Sequence, residues 1–150
     1  MSQLHTILVT VDEPFRSSVN ATWVEEVARG VLQAEDVPAA ELGALVTDDA
    51  RLRELNREYA GEDEATDVLS FSLTEGEKFA LPDGVLRLGE VILSFPTAER
   101  QAREAGRSTE AEIAHLLVHG ILHLLGYNHA EPEEDRQMRA REQELLGASL

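Results

Sequence analysis

The chain contains no cysteine, a single lysine (Lys78) and few aromatic residues, 5% of its 150 positions. Without thiols there is neither a disulfide framework nor a thiolate ligand, so any bound metal must rest on His, Asp or Glu. The near-absence of lysine leaves the positive charge to arginine, which favours discrete bidentate contacts to phosphate or carboxylate, although coding bias would give the same composition. Positive charge is scarce in any case: 13 Lys and Arg stand against 29 Asp and Glu, a net charge of −16. That excludes a general nucleic-acid coat, because non-specific binding rests on cations that neutralise phosphates, and any RNA contact has to be local. No segment approaches the roughly 18 consecutive apolar residues of a membrane span. The first residues, MSQLHTILVTVDEPF, lack a basic stretch followed by an apolar one. Repeats, low-complexity tracts and domain linkers are missing as well, so the expectation is a cytoplasmic protein without a membrane partner.

What is present suits one domain over residues 1–150, since 43% apolar content in a chain of this length supports a real core. Residues 4–11 alternate, with Ile7, Val9 and Val11 on one side, and read as a strand. Asn20 is placed to cap a helix whose Trp23, Val24, Val27, Val31 and Leu32 recur at helical spacing. Leu42, Ala44 and Val46 predict a second strand, and Asp48 or Asp49 caps a helix bearing Leu52, Leu55, Asn56 and Tyr59, stopped by Gly61. Its other face carries Arg51, Arg53 and Arg57. Residues 61–66 form a polar loop before a third strand in which Leu69, Phe71 and Leu73 alternate. A turn at Asp83-Gly84 precedes a fourth strand over 86–95. Pro96 suits the first turn of a helix running to about Gly106, and Pro132 opens a last helix with Met138, Leu145 and Leu146 as contacts.

The stretch EIAHLLVHGILHLLGYNH, residues 112–129, holds four of the five histidines. Apolar residues from Ile113 to Leu125 surround it on nearly every side, which predicts a central helix buried all round, where polar side chains need an internal reason to be. A metal supplies that reason. His119 and His123 lie on adjacent turns of one face, Gly126 is suited to end the helix, and the chain then returns to bring in His129. Three ligands leave one position open, the feature of a catalytic zinc site, at which a water's pKa falls toward neutrality. Hydrolysis follows from that. Three imidazoles would also accept nickel, copper or iron. The spacing equals that of extended zinc-protease motifs, yet Gly120 stands where those enzymes carry their glutamate base, which argues against a peptidase. His115 repeats the helical period and is expected to pack or to support the site rather than to ligate. Glu112 has capping-box spacing from Thr109; that role is preferred to a catalytic one, because it lies about 10 Å along the axis from His119.

HGILHLLGYNH resembles the signature H-G-x-L-H-L-x-G-Y-D-H of the YbeY family of bacterial metal-dependent endoribonucleases. LNREYAGEDEATDVLSFSL (55–73) is similar to the family's L-N-x-x-Y-R-G-x-D-x-P-T-D-V-L-S-F-P, LGEVILS (88–94) to its L-G-D-I-x-I-S, and MRAREQELL fits its last helix. The blocks keep the family's order over roughly residues 45–147. The resemblance implies an α+β, zincin-like fold in which a small mixed sheet of about four strands packs with about five helices around the histidine helix. It implies one zinc per chain at His119, His123 and His129, and a single-strand-specific endoribonuclease acting in small-subunit rRNA 3′-end maturation and ribosome quality control. The implied partners are single-stranded rRNA and the small ribosomal subunit with its proteins. One departure matters: the arginine of the family's Y-R-G stretch, thought to serve in catalysis, falls at Ala60. Arg57, three residues earlier on the same helical face, is the candidate catalytic cation in its place, and a solvated helix arginine is the other reading of it. Two other functions stand beside the nuclease: a ribosome-assembly factor with a structural metal, and a metal-dependent hydrolase of another substrate, which Gly120 disfavours for peptides.

Overall fold

The computed structural model describes residues 5–60, 68–72, 85–127 and 131–149. Alternation makes the first strand, β1 (His5–Val11), whose inward residues Ile7 and Val11 are buried while Thr6, Leu8 and Thr10 face solvent. After a single 3-10 turn (Glu13–Phe15), Asn20 caps α1 (Ala21–Ala34) by accepting from the Thr22 and Trp23 amides at 2.9 and 3.2 Å. The chain continues through β2 (Ala40–Thr47), α2 (Asp49–Ala60), β3 (Val68–Ser72), β4 (Leu86–Ser94), α3 (Phe95–Ala105), α4 (Thr109–Leu124) and α5 (Pro132–Ser149). The fold is a single α+β domain, with five α-helices and one four-stranded mixed sheet among the described residues. The sheet order is β1-β2-β4-β3, with β1, β2 and β4 parallel and β3 antiparallel to β4.

The four strands, the Asn20 cap and all five helices lie where hydropathy and turn chemistry predict them. Two boundaries move by a residue. The fourth strand ends at Ser94, because Ser94 caps α3, its hydroxyl accepting from the Thr97 amide at 3.3 Å, and Phe95 begins the helix. The histidine helix is capped by Ser108, which accepts from the Ala111 amide at 3.1 Å, rather than by Thr109. The polar loop, Leu73 and the Asp83-Gly84 turn lie outside the described residues.

The main core gathers Val24, Val31 and Leu32 of α1, Val46 and Val91 of the sheet, Ile113, Leu117 and Ile121 of α4, and Met138 and Leu145 of α5. α4 packs on β3, β4, α1, α3 and α5, so the histidine helix is the hub of the fold. A slip of one residue in the β2–β4 register falls at Gly89, whose φ of +131° suits a glycine bulge. Among the described residues no helix is long and apolar enough to cross a membrane.

Candidate metal centre

Gly120 explains how α4 comes so close to the sheet. A Cβ at this position would sit 2.6 Å from Val91 Cγ1 and 3.1 Å from Ser70 Oγ, closer than atoms of this kind pack. Val91 is fully buried and cannot give way. The same approach lets the Ser70 hydroxyl donate to the Gly120 carbonyl at 3.0 Å, tying β3 to the helix between its second and third histidines. A glutamate here is therefore excluded by packing, and the missing protease base has a steric reason.

The polar face of α4 is not enclosed, contrary to the expectation of a helix buried all round. The side chains of His115 and His119 are 32% and 27% exposed, and they line a cleft of about 280 Å³ with Leu116, Asp135, Met138, Arg139 and Glu142. α4 and α5 meet along this cleft. What is buried is the carboxylate behind the histidines: Glu142 of α5, 7% exposed, receives His119 Nδ1 at 2.6 Å and His115 Nε2 at 3.3 Å on its two oxygens. Burial alone would raise the Glu142 pKa. The hydrogen bonds from His115 and His119, with the electrostatic attraction of both rings, outweigh that and hold it at about 2, so the carboxylate is ionised and accepts from both rings. The hydrogen bond to Glu142 raises the His115 pKa against the lowering effect of burial, with the Glu142 and Glu112 charges adding to the rise.

Because an ionised carboxylate only accepts, His119 presents a proton on Nδ1 to Glu142, and in the neutral ring that leaves Nε2 as the nitrogen able to hold a metal. The His123 ring lies one turn on, its centroid 4.9 Å from that of His119. Imidazole nitrogens on adjacent turns, one of them braced by a carboxylate, form a donor set that fits zinc. Among the described residues no group of three or more His, Asp or Glu side chains is arranged to hold a metal, and His129 lies outside the described residues. Gly126, the last residue before the Tyr127 that leads toward it, has φ +103°, as expected of a glycine that turns the chain at a helix end.

His115 behaves as expected of a supporting group. Glu112 does not cap the helix. Its carboxylate, 3% exposed, pairs with Arg107 Nη2 at 2.8 Å and lies 3.7 Å from His115 Nδ1. Buried beside His115 but not hydrogen-bonded to it, Glu112 contributes negative charge behind the histidines, since Ser108 has taken the cap.

Arg57 is exposed on α2, and no hydrogen bond or ion pair joins it to the histidines among the described residues. The helix beneath it is nevertheless fixed. Asp49 in its first turn accepts from Ser94, from the Thr97 hydroxyl at 2.5 Å and from Arg100 Nη1 at 3.1 Å. Burial works to raise the Asp49 pKa, but these three donors bring it below the ordinary carboxylate value. Ala60 is the last residue of α2.

Sequence reasoning missed Glu142, which sits in a strongly polar stretch of α5 that reads as a solvated face. The only available signal is its place four residues beyond Met138 and three before Leu145, both buried, which puts it on the inward side of that helix. Ser70 has no sequence signal beyond its place between Leu69 and Phe71 in an alternating strand.

A mixed sheet crossed by a helix bearing an H-x-x-x-H pair, with a buried carboxylate bracing the first histidine, defines a class of small α+β proteins built around a histidine helix. The Endoribonuclease YbeY family model matches residues 10–149, and the chain belongs to that family. It is 50% identical to the endoribonuclease YbeY of Pelotomaculum thermopropionicum over 121 residues, 80% of each chain. It is 42% identical to that of a Roseiflexus species over 147 residues, covering 95% of this chain and 92% of the relative. Its fold is similar to the solution structure of TM1509 from Thermotoga maritima, with a TM-score of 0.65 at 22% identity over 96% of this chain and 89% of that one.

Proposed function

We propose that this protein is a single-strand-specific endoribonuclease that uses one zinc ion held by His119, His123 and His129, and that it acts on rRNA of the small ribosomal subunit in the cytoplasm. The observation that carries the metal reading is Glu142, a buried ionised carboxylate that fixes the proton of His119 on Nδ1. The names of the relatives support RNA as the substrate.

In this reading zinc supplies Lewis acidity toward a phosphoryl oxygen and water. The chain's own groups do the rest. Glu142 keeps both His115 and His119 oriented, and the Glu112–Arg107 pair lies behind His115. Arg57, on the exposed face of α2, is the cation proposed to offset negative charge developing on the phosphate. With Gly120 against Val91, no carboxylate base stands at the protease position.

A second reading, a ribosome-assembly factor whose metal is mainly structural, is favoured by Ala60 and by the net charge of −16. One experiment separates the two. Purified protein is assayed for zinc content and for cleavage of single-stranded RNA, beside His123→Ala and Ala60→Arg. Cleavage well above the His123→Ala background supports the nuclease. Zinc-loaded protein with no such excess supports the assembly factor.

A further inference from the structure

Glu35, at the end of α1, is 15% exposed at its side chain and draws three distant parts of the chain together. Its two carboxylate oxygens each accept from the Tyr127 hydroxyl at 3.2 Å, and Oε1 also accepts from Arg141 Nε at 2.6 Å. Arg141 donates in addition to the Ala34 carbonyl at 3.1 Å, so its guanidinium grips the end of α1 at both a side chain and a backbone group.

Two features connect this cluster to the histidines. Tyr127 follows Gly126 and precedes His129 by two residues, and its amide donates to the Leu122 carbonyl at 3.0 Å. The backbone of Tyr127 is thus held to α4 and its ring to α1, at the point where the chain sets out for His129. Arg141 is also the immediate neighbour of Glu142, so two successive residues of α5 brace His119 and Tyr127.

We infer that Glu35, Tyr127 and Arg141 form a clamp that fixes Tyr127 and the end of α4 against α1 and α5, and that zinc affinity at the histidine site depends on this clamp; the inference rests on the metal reading proposed above. The three are positioning residues and touch no substrate. A tie that merely joined α1 to α5 would stabilise the metal-free fold and leave metal affinity alone, whereas a positioning clamp acts on affinity and on the rate of metal release.

The test uses the full chain and zinc itself. Zinc affinity is measured by competition with a chromogenic chelator, release by stopped-flow chelation, and the metal-free melting temperature is recorded in parallel, for the parent, Tyr127→Phe, Glu35→Gln and the control Arg136→Ala. The expected result is zinc binding weakened about tenfold, with faster release, in Tyr127→Phe and Glu35→Gln but not in Arg136→Ala. Tyr127→Phe should keep a metal-free melting temperature within a few degrees of the parent, since it loses one hydroxyl at a half-buried site. Should Glu35→Gln fail to fold, Arg141→Lys replaces it, keeping the charge while losing the forked contact. Parent-like affinity and release in the clamp variants, with or without a lowered melting temperature, would overturn the inference while leaving the metal reading intact. A parent that binds no zinc overturns both.

Discussion

α4 and α2 are the two helices from which the proposed site is built, and they are anchored in opposite ways. α4 is held by packing: Gly120 lies against Val91, Ile113, Leu117 and Ile121 are buried in the main core, and its histidines are braced from α5 by Glu142. α2 is held by one fully buried leucine, Leu52, and by polar ties at its start, where Asp49 meets Ser94, Thr97 and Arg100, and it presents Arg51 and Arg57 to solvent. The metal half of the site is therefore part of the structure that makes the protein fold, and the phosphate half rides on its surface. The difference makes a change on the exposed face of α2 cheaper in stability than a change in the histidine motif. A core-borne site cannot lose a member without disturbing packing or burying an unpaired charge, and a surface-borne cation costs little stability to lose.

The largest effect expected from this comparison is at Gly120. Gly120→Glu should not fold, because beyond the Cβ that already overlaps Val91 it forces a carboxylate into the packed contact between α4 and the sheet. Gly120→Ala should lose about 1–3 kcal/mol in urea unfolding, more than its gain in helix propensity. Adding Val91→Ala should relieve the overlap, so that the double variant falls short of the sum of the two single losses. Equal stability of parent and Gly120→Ala would show that α4 is not gripped as closely as described.

Next comes pH. In metal-stripped protein, the Glu142 carboxyl falls from its ordinary 4.5 to about 2, so its contribution is present above about pH 4.5 and is lost as the pH drops toward 2. The His115 pKa is raised from 6.5, so its contribution is full below that value and is lost as the pH rises through the folded one. The two windows overlap between about pH 4.5 and 6.5, where Glu142 is held by both His115 and His119, a stabilisation worth up to about 3 kcal/mol on the acid side. Thermal melts from pH 2 to 8 should show a fall on the acid side that Glu142→Gln flattens. An identical acid limb in the variant contradicts the assignment. In the same variant zinc affinity should fall about 10- to 100-fold, as is typical when a group orienting a metal-ligating histidine is lost.

The smallest effect in stability is expected on α2. Arg57→Ala should change unfolding free energy by less than about 0.5 kcal/mol while lowering RNA cleavage, and Ala60→Arg should raise cleavage. Arg57→Ala as active as the parent would remove Arg57 from the catalytic machinery.

The contrast between the helices also marks what could be read without coordinates. Period-2 and period-3.6 patterns, with Pro96 and Pro132 as helix starts, placed the four strands and five α-helices of the described residues, and the motif spacing put His119 and His123 on adjacent turns of one face, as observed. Three things were not legible. Glu142 is distant in sequence and lies in an acidic helix, so no local pattern marks it. The role of Glu112 turned on a one-residue choice of cap, Ser108 or Thr109, that spacing cannot decide. The openness of the histidine face depends on how α5 crosses α4, which is a matter of packing rather than of either helix's own sequence.

The central claim is tested most directly by cleavage of a single-stranded RNA with metal-stripped protein, before and after zinc is returned, with His119→Ala treated in parallel. The account predicts activity that disappears on stripping, returns with about one zinc per chain, and does not return in His119→Ala. Cleavage that survives stripping, or that zinc restores equally in His119→Ala, would contradict it.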